Sequence, residues 1–120
     1  MNDNVFMEQE AVILERKDAH EENSYTCYLF EKGIDKILKK VGEECTETVI
    51  AAKNLKAATE ADDVQTLKSE LVGEISDLIY HVQVMMCDVG VSMNDVLCEM
   101  DRRAQKTGNK KVMKQVDKNT

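Results

Sequence analysis

The segment Ile34-Asp35-Lys36-Ile37-Leu38-Lys39-Lys40-Val41-Gly42-Glu43-Glu44-Cys45-Thr46-Glu47-Thr48-Val49 carries two patterns at once. Ile34, Ile37, Leu38, Val41, Cys45, Thr48, Val49 and Ala52 recur at helical spacing and trace one apolar stripe. They predict a helix from Lys32 or Gly33 to about Leu55. A second ribbon on the same helix holds Lys36, Lys40, Glu44, Glu47 and Ala51, so lysines stand one turn ahead of carboxylates. Glu43, Glu44 and Glu47 form E-E-x-x-E and fall within an arc of about 100° on a helix.

Toward the C-terminus, a polar connection from Lys56 to about Asp62 leads into a second long helix, expected from about Asp63 to Val89. Leu71, Ile75, Leu78, Val82, Met85 and Val89 form its main stripe, with Val72, Ile79 and Met86 beside it. Glu70, Glu74, Asp77 and His81 lie along the edge of that stripe, with Glu74 and Asp77 (E-x-x-D) about 60° apart. Carboxylates flanking an apolar face are partly desolvated, which favours raised pKa values or a bound cation. If the two acidic faces converge, five like charges meet, and repulsion makes that costly unless protons or cations neutralise it. An all-oxygen ligand set suits Mg²⁺ or Mn²⁺ better than zinc or copper, and points to phosphate chemistry. Gly73 is the weak point of this helix by propensity.

Toward the N-terminus, a helix is expected from Asn4 to His20, opened by Asp3 or Asn4, with Val5, Phe6, Val12 and Ile13 as its apolar residues. The polar run Glu21 to Ser24 ends it. Ser24 to Phe30 reads as a loop or short turn, rich enough in hydroxyls to touch phosphate. At the other end Gly90 is a stop, and Ser92 with Asp95 opens a last helix through Val96, Leu97 and Met100. Arg102, Arg103, Lys106, Lys110, Lys111, Lys114 and Lys118 then form a basic tail. It reads as a solvated end, with the alternative that Arg102 and Arg103 reach a phosphate.

The absence of proline and of any strictly alternating segment in 120 residues predicts an all-α protein. The expected architecture is a bundle of about four helices with two long central ones, comprising one domain over 1–103 and the tail over 104–120. No apolar run approaches the roughly 20 residues of a membrane span, and no signal peptide is evident, so a cytoplasmic location is expected. A net charge of −7 argues against general nucleic-acid binding. Cys27, Cys45, Cys87 and Cys98 lack C-x-x-C spacing and read as reduced packing residues. A domain this small buries only about two thirds of its unfolded surface, so the wide stripes predict a homo-oligomer, most simply a homodimer.

Plainer readings stand beside these. E-E-x-x-E is also what a solvated helix with Lys39–Glu43 and Lys40–Glu44 pairs looks like. His81 reads as a hydrogen-bonded structural residue before it reads as a ligand. Asn54 suits a helix end as well as a substrate contact, and Glu70 suits a supporting role.

Ser24-Tyr25-Thr26-x-Tyr28-Leu29-Phe30-Glu31-Lys32-Gly33-x-Asp35-Lys36-Ile37-Leu38-Lys39-Lys40-Val41-Gly42-Glu43-Glu44, followed by Val49-Ile50-Ala51-Ala52-Lys53-Asn54 and Glu70-Leu71-Val72-x-Glu74-x-x-Asp77-Leu78-x-Tyr80-His81, resembles the phosphoribosyl-ATP pyrophosphatase family. The resemblance extends from about Val5 to Arg103. It implies an all-α, Mg²⁺-dependent nucleotide pyrophosphohydrolase, dimeric and cytoplasmic. The implied reaction is the second step of histidine biosynthesis, hydrolysis of phosphoribosyl-ATP to phosphoribosyl-AMP and pyrophosphate, in a stand-alone form. On that footing Glu44, Glu47, Glu74 and Asp77 are the expected metal ligands, and Glu43 is either a further ligand or the general base. Lys32, Lys36, Lys39 and Lys40, with Tyr25, Thr26 and Asn54, are the expected substrate contacts. Two other classes fit the residues: a house-cleaning nucleoside triphosphate pyrophosphatase, and a non-enzymatic helical dimerisation or metal-storage module.

Overall fold

A computed structural model describes residues 4–107, 111 and 113–119. Its elements, in order, are α1 (Val5–Lys17), α2 (Tyr25–Lys32), α3 (Ile34–Lys56), α4 (Val64–Val89), α5 (Met93–Thr107) and α6 (Gln115–Lys118), and there is no strand among the described residues. The chain is therefore all-α, and α3 and α4 are the long central pair, packed along each other. No helix among the described residues is long and apolar enough to cross a membrane.

The long helices begin and end where local chemistry dictates. Asp63 caps α4 by accepting from the backbone N–H groups of Gln65 and Thr66 at 3.1 and 3.2 Å, and Gly90 stops it in the left-handed region at φ 80°. Gly33 ends α2 and starts α3 within one residue: its N–H bonds to Leu29 O, and its carbonyl accepts from Ile37 N–H. Its φ of 90° with ψ −176° is a conformation that glycine alone adopts cheaply. The helix runs unbroken through Gly73, where an added Cβ would meet nothing within 4 Å.

One expectation fails at Ser24 to Phe30, which is helical rather than a loop. Ser24 Oγ caps α2 by accepting from Cys27 N–H, and the helix buries Thr26, Cys27 and Leu29. The last helix also continues beyond Met100 to Thr107. Asn4 takes the N-cap position of α1, while Asp3 lies outside the described residues, as does Lys110 of the tail.

Ile13 of α1, Leu29 of α2, Ile37 of α3, and Val84 and Cys87 of α4 form the core, with Phe30, Tyr80 and Met85 packed against it. The buried positions on α3 are Ile37 and Glu44, and on α4 they begin at His81. The rest of α3 and the first half of α4 thus leave the core as a two-helix arm. The expected stripes are only partly covered. On α3, Leu38, Cys45, Val49 and Ala52 are exposed, and on α4 the covered face is that of Val84 and Cys87 rather than that of Ile75 and Val89, which are exposed. All four cysteines are free, Cys27 and Cys87 buried, Cys45 and Cys98 exposed.

Polar bonds fix α4 to α1. The amide of Gln83, 2% exposed, donates to Phe6 O at 3.0 Å and accepts from Gln9; Lys17 Nζ donates to Cys87 O at 3.2 Å. Glu10 accepts from the Met93 N–H, tying the start of α5 to the same helix. Because Leu29 is fully buried in this core, Leu29→Ala should lower unfolding free energy by about 2–5 kcal/mol in urea titration. Asp63→Ala should cost about 1 kcal/mol through the lost cap.

Candidate active site

Where the arm leaves the core, Glu44 of α3 meets Glu74 and Asp77 of α4. Each offers a carboxylate oxygen, and the three oxygens lie within 4.8 Å of one another. Glu47, one turn beyond Glu44 on the same helix, adds to the raising of both the Glu44 and the Glu74 carboxyls. Glu43 is not part of this group. It is exposed and bonded to Lys40, whose Nζ lies 3.2 Å from Glu43 Oε2 and 3.5 Å from Glu44 Oε1.

The cluster is electrostatically unsatisfied. Glu44 is only 5% exposed, and the Oε2 atoms of both Glu44 and Glu74 are buried without a hydrogen-bond partner among the described residues. Burial pushes the Glu44 carboxyl above its usual range, helped by Glu47, while His81 and Lys40 pull the other way. Glu74 is pushed up by the hydrogen bond its protonated carboxyl donates to Glu47, by desolvation, and by the charges of Glu47, Glu44 and Asp77. Two orphaned carboxylate oxygens in an all-oxygen donor set are what a hard divalent cation would satisfy, so the residues present fit Mg²⁺ or Mn²⁺.

A basic rim borders the cluster on one side. Lys36, Lys39 and Lys40 all act on Glu43, and the Lys40 hydrogen bond holds its carboxyl below the usual range. Lys32, at the end of α2, sits with its ammonium 5.9 Å from the centre of the Tyr28 ring. On the other side, Glu47, Ile50, Ala51, Asn54, Glu70 and Glu74 line a cleft of about 240 Å³ between α3 and α4. Asn54 thus lies on the arm side of the carboxylates and the lysines on the core side.

The hydroxyls expected at the phosphates are already engaged. Thr26 is buried, and its Oγ1 is bonded to the Tyr80 hydroxyl; the Tyr25 hydroxyl lies 2.7 Å from His81 Nε2. Tyr80 and His81 are contributors that the acidic motifs do not announce. Their sequence signals are their position one turn past Asp77 and their place in the stretch that carries the family resemblance. Arg102 and Arg103 are paired with Glu99 of their own helix, each through Nε at 2.9 Å, and hold its carboxyl down at about 2.

An all-α chain whose two central helices gather carboxylates beside a row of lysines has the layout of a site for a phosphate-rich ligand. The family model described as phosphoribosyl-ATP pyrophosphohydrolase matches residues 6–104, and the chain belongs to that family. A protein named phosphoribosyl-ATP pyrophosphatase from Clostridium novyi is 50% identical over 92% of this chain and 90% of its own length. Another of that name from Listeria welshimeri is 45% identical over 88% of this chain and 90% of its own. A histidine biosynthesis bifunctional protein HisIE from Caldanaerobacter subterraneus is 53% identical over 71% of this chain, which there covers 36% of a longer protein.

The raised carboxyls have a consequence for stability. Glu44 and Glu74 bind protons more tightly folded than unfolded, so without divalent cations the folded state is favoured where they are protonated. Stability from this source is lost as pH rises from the ordinary glutamate value of 4.5 through the raised folded values. Thermal melts in a chelator should therefore show Tm falling over that interval, and Glu44→Gln should flatten the fall.

Proposed function

We propose that this protein hydrolyses the α,β-phosphoanhydride of phosphoribosyl-ATP, giving phosphoribosyl-AMP and pyrophosphate, as the second step of histidine biosynthesis in the cytoplasm. The observation that carries the reading is the pair of buried oxygens on Glu44 and Glu74 without a partner among the described residues, on two helices of which one also carries Lys36, Lys39 and Lys40, in a member of this family. Opening a phosphoanhydride calls for neutralised phosphate charge and a positioned water rather than a covalent nucleophile. Glu44, Glu47, Glu74 and Asp77 would hold Mg²⁺, with Mn²⁺ as a substitute, and the ion would supply that neutralisation. Lys32, Lys36, Lys39 and Lys40 bind the phosphates from the core side, and Asn54 meets the nucleotide from the arm side. The Lys40 hydrogen bond stabilises the Glu43 anion and holds its carboxyl below the usual range, which makes it a weak proton acceptor; we read it as fixing Lys40 rather than as the base.

Purified protein with Mg²⁺ should release pyrophosphate from phosphoribosyl-ATP and leave free ATP largely intact. Glu47→Gln and Asp77→Asn should reduce turnover by at least about a hundredfold while keeping the helical circular dichroism of the parent. Equal rates on phosphoribosyl-ATP and ATP would instead favour a general house-cleaning activity. Mg²⁺ should also raise Tm near neutral pH, by the equivalent of about 2.7 kcal/mol at a hundredfold excess over its dissociation constant, and Glu44→Gln should abolish the gain.

The homodimer belongs to the same reading. Val49 and Ile50 on α3 and Val72 on α4 are 62%, 53% and 63% exposed along an arm that has no core of its own. A second copy packed on that arm would complete a four-helix bundle around the carboxylates. Light scattering should give twice the 13.6 kDa of one chain, and Val49→Asp combined with Val72→Asp should return it to one.

A further inference from the structure

The cleft on the arm side of the carboxylates has a lining unlike that of a phosphate site. Its walls are Glu47, Ile50, Ala51 and Asn54 of α3 and Glu70 and Glu74 of α4, around a space of about 240 Å³. Among the described residues no lysine or arginine lines it, so it offers no cation to a phosphate. Glu47 and Glu74 also belong to the acidic cluster and are taken up by the cation in the function proposed above. Glu70 is left over. It lies one turn before Glu74 on α4 and is exposed, as is Asn54 across the cleft, and neither side chain makes a hydrogen bond or ion pair with another described residue.

Charge orients a nucleotide in such a site. The bond to be opened lies against Glu44, Glu74 and Asp77, and its pyrophosphate half, which carries most of the negative charge, belongs with Lys36, Lys39 and Lys40 on the core side. The nucleoside attached to the α-phosphate then falls on the other side, in the cleft without cations. Carboxylates there only accept hydrogen bonds, and the Asn54 amide is the one side-chain donor in the lining. Plain adenine suits that lining poorly, since it presents three ring-nitrogen acceptors and a single neutral amino group. In phosphoribosyl-ATP the adenine is substituted at N1. That bond removes one acceptor, and N1, C6 and the exocyclic nitrogen become an amidinium that keeps its proton at neutral pH. The base is thereby a cationic donor, which an acceptor-rich cleft fits.

We propose that Glu70 is a specificity-determining residue: its carboxylate accepts a hydrogen bond from the cationic 6-amino group of an N1-substituted adenine and so favours that base over plain adenine. This rests on the hydrolytic function proposed above. Ile50 and Ala51 give the ring an apolar surface, and Asn54 serves the polar edge that remains. The phosphate at the far end of the phosphoribosyl group is held away from the ring by a ribose, and Lys53 and Lys56 flank Asn54 in the last turn of α3. Because Glu70 is exposed, solvent screens its charge, and the preference is modest, about tenfold in affinity.

Calorimetric titration with AMP and with 1-methyl-AMP, in Mg²⁺ at neutral pH, isolates this contact. The methyl group confers the same cationic ring without a second sugar, and neither nucleotide has to be hydrolysed. The parent protein should bind 1-methyl-AMP about tenfold more tightly than AMP, and Glu70→Gln should bring the two to within about twofold. Glu60→Gln, which removes an equal exposed charge from the connection between α3 and α4, should keep the preference. Equal affinities in the parent, a preference that survives in Glu70→Gln, or its loss in Glu60→Gln would each overturn the proposal. In steady-state kinetics Glu70→Gln should raise KM for phosphoribosyl-ATP about tenfold with little change in kcat, and an unchanged KM would overturn it as well. A parent inactive on phosphoribosyl-ATP that still prefers 1-methyl-AMP through Glu70 would overturn the hydrolytic function alone. An active parent without that preference would overturn the role of Glu70 alone.

Discussion

Carboxylates forced together at the end of a small apolar core set the terms for the rest of this molecule. Glu44 and Glu74 each bury an oxygen with no partner, and Glu47 and Asp77 add charge to the same few ångströms. A fold selected only for stability would not keep such a group, because repulsion and desolvation act in the same direction. The molecule contains it by mechanical means. The core clamps one end of α3 and α4, Gln83 and Lys17 bolt α4 to α1, and the Asp63 cap closes the other end of the hairpin.

Charge on the opposite side is arranged with equal care. Lys40 is shared between Glu43 and Glu44, so its ammonium is held at the border between rim and cluster instead of ranging through solvent. Exposed ion pairs contribute little to stability, and the Glu99 pairs with Arg102 and Arg103 are of that kind. The Lys40 pairs differ because Glu44 is buried, which makes position, not stabilisation, their main product.

Much of this was legible in the sequence, and the exceptions have physical reasons. Both long helices were placed to within about two residues, because Gly33, Asp63 and Gly90 punctuate them by backbone chemistry that needs no tertiary context. α2 was not, since eight residues are too few to show a period and the aromatic, hydroxyl-rich composition argued for a loop; the Ser24 cap was the available sign. Periodicity named the apolar residues of α3 and α4 correctly but not which are covered: Val49 and Ile75 belong to the stripes yet lie on the arm, beyond the core. In the same way E-E-x-x-E could not say that Glu43 faces the lysines while Glu44 faces Glu74, since both lie within one arc. The pairing of Tyr25 with His81 spans half the chain and leaves no local trace.

The α3–α4 hairpin also bears on how the site comes into being. Its clustered carboxylates lie on two helices that are consecutive in the chain, joined by the short connection between Lys56 and Val64. Closing a loop of that size is fast, and contacts between adjacent helices are the kind that form early in folding. The acidic residues therefore meet during the zippering of a single hairpin, without waiting for the termini to arrive. Repulsion would slow the last turns of that zippering and speed its reversal, so the arm should breathe most readily where Glu47 faces Glu74. A cation captured there would act as a kinetic latch on the hairpin as well as a participant in chemistry, and a chain in which the same hairpin is carried as part of a longer protein would keep both properties.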